Sequence, residues 1–304
     1  TALGGGFFLA QSADLVIGTD PDADRVGIAV RDKAGQFTLL TGNQTAALLT
    51  YYLCEMRKRT GTLDKNAVVL TTVVTGGLMK AIARGYGVEV VETLTGFKWI
   101  SEKIRQYDDA DPPGKPVKQF VFGAEESYGY MPAPFTRDKD AITSTAMIAE
   151  AAAFAADEGK SLLDLLNDCY ARFGYFQEGV KSITMPGHDG AERIARVMNN
   201  LRANSPQHLG GQDVVMAGDL LTGDVRHVSS GKTTHDYDLP SSDVIIMTLA
   251  DGTQVIARPS GTEPKIKFYV LAKQPGSNLN AVRDAANKSI EAILRDIEKL
   301  VAMS

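Results

Sequence analysis

The chain has 304 residues, room for roughly two domains of ordinary size. Its residues are 44% hydrophobic, 23% charged and 7% aromatic, enough apolar side chain to bury a sizeable core, which excludes a disordered or fibrous polymer. Thirty-two basic against 37 acidic residues leave a formal net charge of −5, so no surface organised around a nucleic-acid backbone is expected, although a local basic pocket is still possible.

Two cysteines, Cys54 and Cys169, lie far apart and form neither a CxxC pair nor a disulfide framework, which fits a reducing, cytoplasmic setting. The least charged stretch, 34–54, is broken by Gly35, Gln36, Gly42, Asn43 and Gln44, so no membrane span is expected there. No signal peptide is legible, and the chain opens on Thr1 as if entered midway through a longer sequence.

In chain order, apolar runs at 14–18 and 25–30 predict two strands flanking an Asp/Pro-rich turn. Helical spacing follows over 43–59, then strand 67–74, helix 78–84, strand 88–93, helix 97–107 and strand 120–122. Strands alternating with helices imply a mostly parallel, layered α/β sheet. The Pro- and Asp-rich segment 108–116 reads as an exposed loop. Two helices, 141–157 and 162–173, come next, the second reading as a link between domains. After Gly174 the rhythm changes to strand 179–185, helix 190–202, several shorter strands, a hairpin turn at Asp251-Gly252 and helix 278–300. The expected fold class is therefore multidomain α/β: mixed layered-sheet domains followed by an α+β C-terminal domain. Boundaries are expected near residues 36 and 172.

Three segments could carry chemistry. Asp20-Pro-Asp22-Ala-Asp24-Arg25 places carboxylates at alternate positions of a loop between strands, where all three can turn toward one hard cation such as Mg²⁺. The plainer alternative is a solvated acidic turn. An EF-hand does not fit, because its required Gly and Glu fall on Arg25 and Arg31. A haloacid-dehalogenase-like Asp-x-Asp site is a weak alternative. Arg258-Pro-Ser-Gly-Thr-Glu-Pro264, between strands 254–257 and 266–271, combines a guanidinium, two hydroxyls and a Gly-opened backbone, a set able to surround a phosphate dianion; Lys265 and Lys267 add positive charge. Gly123-Ala-Glu-Glu-Ser-Tyr-Gly129 follows a strand at its carboxyl end, where open α/β sheets place ligands, and taken alone reads equally as a surface loop. His188, His208, His227 and His235 show no ligand spacing.

Taken together and in this order, GTDPDADR, ETLTGFKWI, FGAEESYGY, RDKDA and RPSGTEPKIKFYV resemble the α-D-phosphohexomutase family, and the EESYGY and RDKDA wording is closest to its bacterial phosphoglucomutase and phosphopentomutase branch. That family has four domains. The resemblance implies that 1–36 is the end of the second, with the metal loop, that 37–172 is the third, which binds sugar, and that 173–304 is the fourth, which binds phosphate.

The resemblance further implies Mg²⁺ held by Asp20, Asp22 and Asp24 together with a phosphoserine, with Arg25 near the phosphoryl group. Thr95 and Gly96 match the sugar loop, and Glu125 and Ser127 match the pair that contacts sugar hydroxyls. Arg258, Ser260, Gly261 and Thr262 match the grip on the non-reacting phosphate. Arg137 and Lys139 match basic residues lining the cleft, with Lys139 a proton-transfer candidate that would need a lowered pKa to act as a base.

Two departures stand out. Ser127-Tyr128-Gly129 replaces the Ser-Gly-His of many phosphomannomutase-type members, and the Thr-Ala-Ser-His-Asn-Pro loop that bears the phosphoserine occurs nowhere. The implied function is the C-terminal portion of an enzyme moving a phosphoryl group between positions 1 and 6 of a hexose, or 1 and 5 of a pentose, through a bisphosphate intermediate and with a glucose 1,6-bisphosphate-type activator. The expected partner is a sugar phosphate, with neither nucleic acid nor membrane, and this chain alone is expected to lack mutase activity. A non-catalytic sugar-phosphate-binding module and a metal-dependent phosphatase are the alternatives.

Overall fold

The structure, a computed structural model, describes residues 12–109, 118–187, 189–261, 263–276 and 278–303. The chain divides into two compact units, Thr1–Gly174 and Tyr175–Ser304. Unit 1 begins with an antiparallel sheet of β1 (Leu15–Thr19), β2 (Val26–Arg31) and β3 (Phe37–Leu39), in that order. Thr19 pairs with Val26, so the acidic segment is the connection of a hairpin. β3 escapes the sequence reading because three residues are too few to show alternation.

A second sheet follows from α1 (Gly42–Arg59), β4 (Ala67–Thr72), α2 (Gly77–Gly85), β5 (Glu89–Thr93), α3 (Phe97–Asp109), β6 (Gln119–Glu125), β7 (Gly129–Met131), α4 (Ala141–Asp157) and α5 (Leu162–Phe173). Its strand order is β5-β4-β6-β7, with β4 parallel to β5 and β6, and β7 antiparallel at the edge. Every residue of central β4 is buried, which explains its apolar run from Ala67 to Leu70. Phe97, Ile100 and Ile104 of α3 pack on Val68, Leu70, Phe120 and Met131. The helix starts are chemically fixed: Thr41 and Gln44 form a reciprocal capping box on α1, and Ser161 with Asp164 does the same on α5. Asp140 accepts from the N–H groups of Ile142 and Thr143, so the last acid of RDKDA caps α4.

Unit 2 holds β8 (Tyr175–Thr184), α6 (Gly190–Ala203), β9 (His208–Leu209), β10 (Gln212–Asp219), β11 (Asp224–His227), β12 (Thr233–His235), β13 (Ile245–Leu249), β14 (Gln254–Pro259), β15 (Lys265–Gln274) and α7 (Leu279–Met303). Its antiparallel sheet runs β12-β11-β10-β13-β14-β15-β8, with β9 pairing β10. β8 starts four residues earlier than the sequence pattern predicts, because it pairs with β15 along its whole length, Tyr175 opposite Gln274. Both helices share one core with the sheet, including Ile194, Val197, Met198 and Leu201 of α6 and Ile290, Ile293, Ile297 and Val301 of α7. Among the described residues, no helix is long and apolar enough to cross a membrane.

Candidate functional site

In unit 1 the Asp-rich hairpin folds into a compact turn. The Asp20 carboxylate accepts from the N–H groups of Asp24 (3.1 Å) and Arg25 (2.9 Å), and Ala23 adopts a left-handed φ of 57°. That φ is uncommon for a residue with a Cβ, and it lets the chain reverse between the second and third aspartates. One carboxylate oxygen from each of Asp20, Asp22 and Asp24 lies within 4.8 Å of the others. The Arg25 N–H above all, and less strongly the Asp24 N–H, hold the Asp20 carboxyl below its usual value against the opposing effect of burial. The donors are oxygens only, close together and anionic, which is the chemistry of a hard divalent cation.

Two further segments meet this turn, and a third is joined to one of them. Arg25 and Gly129 form a β-bridge and the Val26 N–H donates to the Tyr128 carbonyl at 3.1 Å, so the hairpin is joined to the connection between β6 and β7. Tyr128 is itself left-handed, φ 68°, which tightens the Glu125-to-Gly129 reversal. The sequence pattern assigns no strand to Gly129-Tyr130-Met131; the structure makes it β7, whose three residues are all buried. Tyr130 reaches across to donate its hydroxyl to the Gly42 carbonyl at 3.0 Å.

From the other side, the Gly96 N–H donates to Glu125 Oε1 at 2.7 Å, which joins the Thr95-Gly96 turn to the carboxyl end of β6. Glu125 is only 8% exposed. Burial pushes its carboxyl above the usual range, against the Gly96 N–H and the positive charges of Lys139 and Arg25. Ser127 and Thr95 are half-buried nearby in the chain.

Lys139 comes from the second segment that meets the turn. Its Nζ lies 2.8 Å from Asp24 Oδ2 and 5.6 Å from the Phe97 ring centre, and its side chain crosses Gly129, where a Cβ would sit 2.4 Å from Lys139 Cδ. Burial by itself would lower the ammonium, but hydrogen bonds and charge from Asp24 and Asp138 outweigh it and leave Lys139 above the ordinary lysine value. In this arrangement it is a proton holder and a local positive charge. Arg137 is exposed and paired with Asp108 at 2.6 Å.

In unit 2, Arg258 stands on β14 directly opposite Lys267 on β15, both half-buried, so two cations share one register position. The Ser260 N–H donates to the Lys265 carbonyl at 2.8 Å, which closes the turn between the two strands. Among the described residues Arg258 has no ion-pair partner, and the backbone at Gly261 is open on its Cα side. Thr262 lies outside the described residues, as do His188 and most of the 108–116 loop. His208 and His235 are exposed and paired with Asp213 and Asp224, with no part in either site.

Comparison with known proteins fits this geometry. Residues 41–173 match the phosphoglucomutase/phosphomannomutase alpha/beta/alpha domain III. A phosphoglucomutase of Staphylococcus aureus strain USA300 is 39% identical over 278 residues, 91% of this chain and 48% of that protein, and that of strain MRSA252 is 40% identical over 263 residues, 86% and 45%. Among solved structures, the open form of pp63/parafusin, a phosphoglucomutase from Paramecium, superposes with a TM-score of 0.57 at 17% identity, covering 94% of this chain and 46% of that one. A phosphoglucomutase/phosphomannomutase family protein from Burkholderia thailandensis gives 0.55 at 17%, covering 96% and 50%. The chain thus resembles the phosphoglucomutase and phosphomannomutase family, most directly through domain III at residues 41–173. It spans about half the length of the curated relatives it matches, which are bacterial phosphoglucomutases.

Several residues that shape the site carry no motif. Gly42 is indistinguishable from other helix-start glycines in sequence, yet it sits against the Glu126 carbonyl. Thr71 and Thr93 read as ordinary strand residues. Only the switch of β4 from Ala-Val-Val-Leu to Thr-Thr at its carboxyl end could have signalled Thr71; Thr93, on β5, has no such signal.

Proposed function

We propose that this chain is the sugar- and phosphate-binding portion of a phosphoglucomutase-type enzyme, acting in the cytoplasm on a sugar phosphate by transfer of a phosphoryl group between its 1-position and its terminal position. On this reading residues 1–36, 37–172 and 173–304 correspond to the end of the family's second domain and to its third and fourth. The observation that carries it is the convergence of the Asp20-Asp22-Asp24 turn, the Glu125 hairpin, the Thr95-Gly96 turn and Lys139 at one edge of unit 1. The names of the relatives support the same reaction class.

The three aspartates would hold Mg²⁺, which supplies charge neutralisation for a phosphoryl oxygen. Around that position the chain's own groups do the rest. Arg25, with its Nε 3.5 Å from Asp24 Oδ1, presents a guanidinium beside the same carboxylates, where it can bind a phosphoryl oxygen. Glu125, oriented by the Gly96 N–H, offers an acceptor and Ser127 a hydroxyl to sugar hydroxyls. Lys139 holds a proton next to Asp24. The Arg258, Ser260, Gly261 and Thr262 turn would bind the phosphate that does not react, and the enzyme would use a glucose 1,6-bisphosphate-type activator.

Two measurements test this reading. Arg258→Ala should lose affinity for glucose 1-phosphate and glucose 6-phosphate alike, because either phosphate would occupy the same turn; a charge-assisted bond of about 1.5–3 kcal/mol makes this roughly tenfold or more. Full affinity for both esters by calorimetry would leave the segment as no more than a turn. Asp22→Asn should weaken Mg²⁺ binding by roughly tenfold, since it removes one charge from a hard-oxygen site and leaves the Asp20 hydrogen bonds intact. An unchanged Mg²⁺ titration would end the metal assignment.

A further inference from the structure

At its carboxyl end β4 changes character. Ala67, Val68, Val69 and Leu70 give way to Thr71 and Thr72, with no change in burial: Thr71 is 0% exposed, and Thr93 on the neighbouring strand is 6% exposed. Valine has nearly the same volume and no polar atom to desolvate. A buried hydroxyl is tolerated only where it finds a partner, so its use here asks for a reason.

The partners supply one. The Thr71 hydroxyl donates to the Ala124 carbonyl at 3.0 Å, with Met79 Sδ at 3.5 Å. The Thr93 hydroxyl shares its proton between the Thr71 carbonyl at 3.2 Å and the Leu94 carbonyl at 3.0 Å. Ala124 immediately precedes Glu125, and Leu94 immediately precedes Thr95-Gly96. The Gly96 N–H then donates back to Glu125. Following covalent and hydrogen bonds, the path Thr71, Ala124, Glu125, Gly96, Leu94, Thr93, Thr71 closes on itself across β4, β5 and β6.

We infer that Thr71 and Thr93 are positioning residues, whose hydroxyls hold the Glu125 carboxylate and the Thr95-Gly96 turn in register as one preorganised unit for recognition of a polyhydroxylated ligand. Ladder hydrogen bonds fix neighbouring strands along their length, but they do not set how two connections leave the sheet. The hydroxyls tie the carbonyl of Ala124, next to last in β6, and that of Leu94, the first residue after β5, where small displacements would otherwise be amplified at the ligand. The inference rests on the proposed function only for the identity of that ligand as a sugar phosphate.

The test uses Thr71→Val, Thr93→Val and Thr71→Ser in the full chain. The direct readout is hydrogen exchange at the Gly96 amide, which Glu125 protects. Both valine variants are expected to speed exchange there by roughly tenfold, the equivalent of one ordinary hydrogen bond, while β4 core amides such as Val69 stay protected. The second readout compares ligands by calorimetry. Glucose 1-phosphate affinity should fall about fivefold or more in the valine variants, inorganic phosphate affinity should stay unchanged, and Thr71→Ser should restore both exchange and affinity.

Native protection at Gly96 in both valine variants would overturn the inference, as would equal acceleration throughout β4, which marks general loosening, or failure of the serine variant to rescue. If the native chain binds no glucose ester while Gly96 exchange still responds as expected, the positioning role stands and the proposed function falls.

Discussion

Gly42→Ala is expected to lower the stability of unit 1 by about 3 kcal/mol, the upper end of what overpacking costs, and to displace the Glu125–Gly129 reversal. A Cβ built at Gly42 would lie 1.9 Å from the Glu126 carbonyl oxygen, 2.8 Å from its carbon and 2.9 Å from the Tyr128 nitrogen. All three are backbone atoms, so no side chain can swing aside. Relief requires moving either the start of α1, which Thr41 and Gln44 cap and whose Gly42 carbonyl accepts the Tyr130 hydroxyl, or the reversal itself. Thermal unfolding should show a melting point roughly 6–12 °C lower for a unit of this size. Gly61→Ala is the control: its φ of 69° carries backbone strain, but no atom lies within 4 Å of the new Cβ, so its cost should be nearer 1 kcal/mol. Equal melting points for native and Gly42→Ala proteins would mean that the helix start and the reversal are not in contact as described.

Glu125→Gln should separate binding from stability. Burial raises the Glu125 carboxyl above its usual value, so the folded chain holds that proton at pH values where the unfolded chain has released it. Between the ordinary glutamate value, about 4.3, and the higher folded value, stability therefore falls as pH rises, and above that window the full penalty is present. Glutamine carries no charge to desolvate, and its amide oxygen can still accept the Gly96 N–H. The variant is expected to be at least as stable as the native chain at pH 7, with the difference closing as pH falls toward 4. Glucose 1-phosphate affinity should meanwhile drop by roughly tenfold or more, because a charge-assisted acceptor is lost. A variant less stable than native at pH 7 would show that the carboxylate is held comfortably, and would remove the physical basis for treating it as a ligand-facing group.

Much of this arrangement was legible because its signals are local. α4 and α5 fall on 141–157 and 162–173 as the helical spacing predicts, since their caps, Asp140 and Ser161, are local too. The Asp20-Asp22-Asp24 segment falls on a hairpin turn as the flanking apolar runs predict, since those runs are local signals too. What the sequence hides depends on contacts between distant segments. β7 is invisible because Gly129-Tyr130-Met131 is a strand only by pairing with Gly123–Glu125. The pairing of Lys139 with Asp24, 115 positions earlier and 2.8 Å away, has no local signal. Arg137, its neighbour in the same motif, faces Asp108 instead, a divergence that spacing cannot reveal. Gly42 and the Thr71–Thr93 pair are likewise defined by what approaches them.

The attachments of the Asp-rich turn bear on redesign. Val26 to Tyr128, Ala141 to Ala23, and the Arg25–Gly129 bridge are all made by main-chain atoms. Side-chain identity at Asp22 or Ser127 is therefore decoupled from the frame that carries it, and a library varying those two positions should sample new ligand chemistries on an unmoved backbone. Positions 23, 42 and 129 are the opposite case, where even a small addition of volume or loss of backbone freedom alters the frame before any new chemistry is tried.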